Sequence, residues 1–137
     1  PLVVGALSAE QGGFIRPHKS HQNGRDVDLG YFHTTRSQAR RFEMTHAGNI
    51  DAEKTWAFLE ALLVTGEVSF VFMDYDIQAA LYDGLLDNGW SEQALGPIFQ
   101  YPASRTTPTG LIRHAQGHAD HFHVRFRCAA RDVGCVD

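Results

Sequence analysis

Two short segments, far apart in the chain, alternate between apolar residues and mostly polar ones. In residues 26–32 the apolar positions are Val27, Leu29 and Tyr31. In residues 121–127 they are Phe122, Val124 and Phe126. This alternation is typical of a β-strand that has one buried face and one open face. If the two strands are neighbours in one sheet, both apolar sets cover a core. Asp28, His121 and His123 then lie together on the open face.

The open face carries residues of the kind that bind metal ions. Six of the eight histidines lie in or beside the two segments: His18, His21, His114, His118, His121 and His123. A catalytic zinc site takes three protein ligands, often two histidines and one carboxylate, and keeps one coordination position open. The candidate ligands are His21, Asp28 and His123, and we expect one zinc ion.

Two further histidines of the second segment are candidates for catalysis. His121 precedes His123 by two residues on the same face, which suits a general base that takes a proton from water and returns it to a leaving amine. His118 lies just outside the strand and could stabilise an oxyanion or orient the water. Carboxylates usually hold such histidines in place. Asp26 and Asp120 are both candidates, and the spacing does not decide between them.

The other histidines are interpreted as structural or solvated. This interpretation applies to His33 and His46, to His114 as a peripheral residue, and to His18 as a loop residue rather than a second ligand. The sequence contains neither a Gly-x-Ser-x-Gly nucleophile motif nor a glycine-rich phosphate loop. Metal-assisted hydrolysis is therefore favoured over nucleophilic serine chemistry.

Composition limits the class of protein. The 137 residues are 43% hydrophobic, which predicts one globular domain spanning 1–137. The net charge of -4 and the absence of a basic run argue against nucleic acid as a partner. No apolar stretch is long enough to span a membrane. The chain begins at Pro1 without a leader, so we expect a mature form or an excised domain.

Between the two alternating segments, the pattern predicts helices and one more strand. Residues 51–65 have apolar residues at helical spacing, with Asp51 as the N-cap. Val68, Phe70 and Phe72 predict a short, mostly buried strand, Val68–Met73. Residues 75–88 predict a second helix. Residues 91–110 are rich in proline, glycine, serine and threonine, and this composition predicts a long loop.

The two cysteines, Cys128 and Cys135, are close together near the C-terminus. Zinc ligation would need further ligands nearby, and no other cysteine exists. A disulfide closing a short loop is favoured by the even count and the isolation of the pair. A disulfide implies an oxidising compartment, so we expect a periplasmic or secreted protein.

The two motifs resemble those of a known family. Residues 20–32 are SHQNGRDVDLGYF and residues 113–128 are RHAQGHADHFHVRFRC. With these stretches, about a fifth of its length, the chain resembles the penicillin-insensitive murein endopeptidases. These zinc peptidases are related to lysostaphin-type and D-alanyl-D-alanine metallopeptidases. The cysteine pair after the last strand is also similar to that family.

The resemblance implies an α+β fold: a small central antiparallel sheet flanked by two or more helices, with the metal site on the open face of the sheet. It implies one zinc held by His21, Asp28 and His123, and it matches His121 and His118 to active-site histidines, with His121 the better candidate for the base. The implied reaction is hydrolysis of D,D-amide bonds in peptidoglycan cross-bridges, such as D-alanyl-meso-diaminopimelate. His18 matches an additional zinc contact of the family, but the region around Asp51 offers no histidine to match a further contact, so a second metal is not predicted.

Two alternatives stay open at the level of sequence. A D,D-carboxypeptidase or dipeptidase on the same fold would need a cation for the terminal carboxylate of its substrate, and Arg25, Arg105 and Arg113 are available. A zinc-containing binding module would keep the ligands without hydrolysis. The presence of both His121 and His118 favours catalysis over the binding module.

Overall fold

A computed structural model describes residues 2–9, 11–18, 20–35 and 41–135. Four strands and three helices follow one another in this described part of the chain. In order they are β1 (Asp26–Gly30), α1 (Ala52–Leu63), β2 (Val68–Met73), α2 (Tyr75–Asp87), α3 (Glu92–Leu95), β3 (Ile112–His114) and β4 (His121–Phe126). The predicted α+β class is confirmed.

The strands form one sheet in the order β1-β4-β2-β3. β4 is antiparallel to both β1 and β2, whereas β3 is parallel to β2. The sheet is therefore mixed rather than wholly antiparallel. α2 and the segment after it carry the chain back across the sheet, which is the crossover that a parallel pair requires. The sequence did not predict β3, because a strand of three residues has too few positions for a readable alternation.

The predicted neighbours, β1 and β4, are paired along their whole length. Asp28 lies opposite His123, and Leu29 lies opposite Phe122. The N-terminal residues lengthen the sheet at the outer edge of β1. There the Gly5 N–H donates to the Asp28 carbonyl at 2.8 Å, and the Gly30 N–H donates to the Val3 carbonyl at 2.8 Å. β1 therefore has a partner on both sides, and its aspartates are held in a fixed register.

The helices begin at side-chain caps. A carboxylate oxygen of Asp51 accepts the Lys54 N–H at 3.0 Å, as predicted for α1. The segment 91–110 is not a plain loop, which corrects the prediction. Ser91 caps the short helix α3 by accepting the Ala94 N–H at 3.1 Å, and Leu95 is fully buried. The polar composition of the segment masked this helix.

One apolar cluster lies between the sheet and the helices. Its fully buried members come from every layer and include Leu59 of α1, Val71 of β2, Leu81 of α2, Ile112 of β3 and Phe122 of β4. The burial of this cluster on one face of the sheet leaves the other face for the polar residues.

Phe70 and Phe72 are only partly buried, which corrects the prediction for β2. The strand has the predicted bounds, but a register shift between Val68 and Phe70 places Val68 and Val71 in the core. Such a bulge inserts one residue and reverses the faces of the residues that follow it. Phe70 and Phe72 lie opposite Arg125 and His123. Both phenylalanines therefore belong to the open face of the sheet.

Cys128 and Cys135 form a disulfide, with their Cα atoms 5.7 Å apart. This confirms the predicted pairing and excludes a thiolate zinc site at these two residues. Among the described helices, none has the length and the apolar character that crossing a bilayer requires.

Gly110, which precedes β3, is a sensitive position in the fold. Its φ is +75°, and a Cβ there would lie 2.6 Å from the Phe99 carbonyl carbon and 2.8 Å from the Gln100 nitrogen. Gly89 also has a positive φ, but open space surrounds it. We expect Gly110→Ala to lower the free energy of unfolding by about 3 kcal/mol and Gly89→Ala by about 1 kcal/mol. Denaturant unfolding of both variants measures the difference. Equal losses of unfolding free energy in the two variants would show that the approach of the Cβ to the backbone at Gly110 does not destabilise the fold.

Candidate metal centre

Three predicted ligands converge on one point of the open face. The Nε2 atom of His21 lies 3.3 Å from Oδ1 of Asp28 and 3.1 Å from Nδ1 of His123. Nδ1 of His123 lies 2.9 Å from the same Asp28 oxygen. All three side chains are almost fully buried. The structure thus brings together a carboxylate and two imidazoles, each from a different part of the chain.

His123 lies between two aspartates of β1. Its Nδ1 faces Asp28 at 2.9 Å, and its Nε2 faces Asp26 at 2.7 Å. Arg125 donates from Nε and Nη2 to the two oxygens of Asp26, at 3.0 and 3.3 Å. Asp26 is therefore the carboxylate that orients His123, a role the sequence could not assign to it.

This arrangement controls protonation. Burial lowers the pKa of His123, but hydrogen bonds to Asp26 and Asp28 outweigh burial and raise it to about 8. Burial raises the pKa of each aspartate, but the hydrogen bond with His123 and the neighbouring positive charges together outweigh burial and lower it. Burial lowers the pKa of His21. At neutral pH and without a metal, His123 is thus an imidazolium between two carboxylates, and His21 is neutral.

His18 belongs to the cluster, which corrects its interpretation as only a loop residue. Its Nδ1 lies 3.6 Å from Oδ2 of Asp28, and its ring centroid lies 4.4 Å from that of His21. His18, His21 and Asp28 form a group that could hold a metal ion. His18 approaches the second oxygen of Asp28, whereas His21 and His123 share the first. The position of His18 shortly before His21 was the sequence signal that could have placed it in the cluster.

His121 has one nitrogen fixed and one nitrogen facing the cluster. Its Nδ1 lies 2.6 Å from a carboxylate oxygen of Asp120, which can only accept, so Nδ1 carries the proton in the neutral ring. Its Nε2 lies 3.8 Å from Oδ1 of Asp28. Nε2 of the neutral ring is therefore a proton acceptor beside the candidate ligands, and Asp120 would stabilise the imidazolium formed when it takes a proton.

The His121 ring is also supported from its face. Phe42 stacks on it with centroids 4.8 Å apart and an interplanar angle of 13°. Phe42 fits because Gly5 and Gly30 have no side chain, since a Cβ at Gly5 would collide with the phenylalanine ring. The sequence offered no signal for Phe42, because it lies in an irregular segment that is distant in sequence from both motifs.

His118 is held by backbone carbonyls. Its Nδ1 lies 3.1 Å from the Ala115 oxygen and 3.2 Å from the Gln116 oxygen, so Nδ1 carries the proton. The Tyr31 hydroxyl donates to the His118 carbonyl at 2.9 Å. Burial lowers the pKa of His118. Its Nε2 is therefore an acceptor at neutral pH, which suits orientation of a water better than donation to an oxyanion.

The other histidines make their hydrogen bonds elsewhere. His33 binds the Thr45 hydroxyl at 2.9 Å, His46 accepts the Gly48 N–H at 3.1 Å, and His114 accepts the Tyr75 N–H at 3.1 Å. Each of these contacts is local support for a turn or for the start of α2.

In comparisons with known proteins, no family model and no curated protein matches this chain.

The two possible ligand sets differ at one position, so variants can separate them. With His21, Asp28 and His123 as ligands, His18→Ala retains about one zinc per chain, and both His21→Ala and His123→Ala lose it. Metal content after dialysis of the folded variants against limiting zinc checks this. Loss of zinc from His18→Ala together with retention in His123→Ala would establish the alternative set.

Zinc binding should depend on pH through His123. Below a pKa of about 8 the ion must displace a proton from this residue, whereas neutral His21 releases none. We expect the affinity to rise about tenfold per pH unit toward pH 8 and to level off above it. Competition with a chromophoric chelator measures the slope. Asp26→Asn should move the break to lower pH, because it removes a hydrogen bond that raises the pKa of His123. A flat profile would contradict this assignment.

Proposed function

We propose that the protein is a zinc-dependent peptidoglycan endopeptidase that hydrolyses D,D-amide bonds in peptide cross-bridges, such as D-alanyl-meso-diaminopimelate. The observation that carries the proposal is the convergence of His21, Asp28 and His123, with Nε2 of His121 beside them. The substrate class is supported by the resemblance of residues 20–32 and 113–128 to the murein endopeptidases.

The donor set fits one zinc ion. The three donor atoms are separated by 2.9 to 3.3 Å. Tetrahedral zinc with bonds of about 2.0–2.1 Å needs its ligand atoms roughly 3.4 Å apart, so little adjustment is required. The His21 ring faces the other two donors through Nε2, while its buried Nδ1 has no hydrogen-bond partner among the described residues. The proposed ligands are Nε2 of His21, Oδ1 of Asp28 and Nδ1 of His123.

The protein residues around the ion have separate tasks. When bound, zinc supplies Lewis acidity toward the scissile carbonyl and toward water. Nε2 of His121 accepts the proton of the attacking water, while Asp120 holds Nδ1 and stabilises the imidazolium. His121 then returns the proton to the leaving amine. His118 accepts a hydrogen bond through Nε2 and orients the water. Asp26 keeps His123 in the tautomer that offers Nδ1.

Localisation and partners follow from the same features. The disulfide supports an oxidising compartment, and we propose a periplasmic or secreted enzyme whose partner is bacterial peptidoglycan. We do not propose a nucleic-acid partner, because the chain has a net charge of -4.

A carboxypeptidase or dipeptidase is the second candidate, and it needs a cation one residue from the scissile amide. Arg113 lies on the open face of the sheet but two strands away from His123, which is too far for that role. Arg25 is buried and donates to the Phe126 carbonyl, and Arg105 pairs with Asp76. A non-catalytic zinc module is less favoured, because it has no need for the Asp120–His121 pair.

The proposal is tested with purified cross-linked muropeptide dimers and with uncross-linked stem peptides. The zinc-loaded protein should convert dimers to monomers, stop on chelation and recover with zinc. His121→Ala should keep its zinc and lose about 100-fold or more in kcat, because the general base is gone. Phe58→Leu is a control, because Phe58 of α1 is partly buried and packs against the core on the face of the sheet opposite the ligands. Mass spectrometry of the products gives the bond cleaved. Release of terminal D-alanine without dimer cleavage would support the carboxypeptidase, and no cleavage by a zinc-loaded protein would overturn both enzyme proposals.

A further inference from the structure

The open face of the sheet continues beyond the candidate metal centre. In one row across the strands, Asp28 is paired with His123, His123 with Phe72, and Phe72 with Arg113. Side chains paired in this way point to the same side of a sheet. The metal centre and Arg113 are therefore parts of one continuous surface.

The surface between them is aromatic. The Phe72 ring centroid lies 5.6 Å from that of His123, and Phe70 stacks on Phe72 at 6.3 Å with an interplanar angle of 25°. Both rings are partly exposed, although strand residues of this kind would normally lie in the core. The bulge in β2 turns them to the open face.

Arg113 completes the surface with a cation. Its guanidinium lies over the Phe70 ring, 4.3 Å from the centroid, and its Nε donates to the Gly110 carbonyl at 2.9 Å. These two contacts fix the orientation of the side chain. No carboxylate of residues 2–9, 11–18, 20–35 or 41–135 forms an ion pair with it. Arg125, by comparison, is held by Asp26 on the same face.

We propose that Phe70, Phe72 and Arg113 form a substrate subsite that binds a peptide carboxylate. This inference rests on the proposed peptidase function and specifies its substrate. The Cα atoms of Arg113 and His123 are two strand spacings apart, roughly 10 Å. An extended peptide covers about 3.3 Å per residue, so the carboxylate lies about three residues from the scissile amide. The phenyl rings contact the part of the peptide that lies between the scissile amide and the carboxylate. The planar guanidinium of Arg113 binds the carboxylate through two N–H groups.

The test measures binding, so that it does not depend on turnover. The probes are an uncross-linked tetrapeptide stem with free carboxylates and the same peptide with every carboxylate amidated. Zinc-loaded wild-type protein and Arg113→Gln are titrated with both by calorimetry. Arg105→Gln is the matched control, since that arginine pairs with Asp76 at 2.7 Å on α2.

We expect Arg113→Gln to weaken binding of the free acid by roughly tenfold, and amidation to weaken binding to the wild type by a similar factor. The two changes should not add, because each removes the same ion pair. Arg105→Gln should bind both peptides like the wild type.

Three results would overturn the subsite: additive losses, equal affinity of the wild type for acid and amide, or no binding of either peptide. Dimer cleavage is scored separately in the same preparations. Dimer cleavage by a protein that binds acid and amide equally would reject only the subsite. Weaker binding of the amidated peptide without any dimer cleavage would reject only the peptidase function.

Discussion

The site depends on the position of the His123 imidazole between Asp26 and Asp28. Two carboxylates buried on one strand repel each other and lose their hydration, so they need cations close by. Arg125 supplies one positive charge to Asp26, and His123 supplies the other when it is protonated. A zinc ion at Nδ1 would replace that proton without disturbing the hydrogen bond from Nε2 to Asp26. The same buried charges that would otherwise destabilise the β1–β4 pair thereby prepare it for a metal.

The pairing of β1 with β4 gives three neighbouring histidines different environments within a small space. Each nitrogen of His123 faces a carboxylate, whereas Nδ1 of His121 faces Asp120 and Nδ1 of His118 faces backbone carbonyls. These contacts hold a proton on Nδ1 of His121 and of His118 and leave Nε2 for water, whereas Asp26 holds a proton on Nε2 of His123 and leaves Nδ1 for a metal ion that displaces its proton. The aromatic rings of Phe42 and Phe72 restrict His121 and His123. The chemical role of each histidine therefore follows from the group that holds its other ring nitrogen.

Much of this arrangement is predictable from sequence. Alternation specified the faces of β1 and β4, and the apolar set of β1 explained why Asp26 and Asp28 had to share the other face. Local patterns failed where tertiary contacts decide the outcome. β3 is too short to show a period, and the bulge in β2 moved Phe70 and Phe72 out of the core. The stacking of Phe42 on His121 depends on how an irregular segment packs against β1 and β4, and the sequence pattern does not encode this.

The most direct test is the state of the His123 nitrogens, measured by long-range proton–nitrogen NMR on protein with labelled histidine, before and after addition of one equivalent of zinc. Without zinc, we expect both nitrogens of His123 to be protonated at pH 7. With zinc, Nδ1 should carry the metal, and Nε2 should keep its proton for Asp26. Metal on Nε2 of His123, or no change at this residue when zinc binds, would contradict the account.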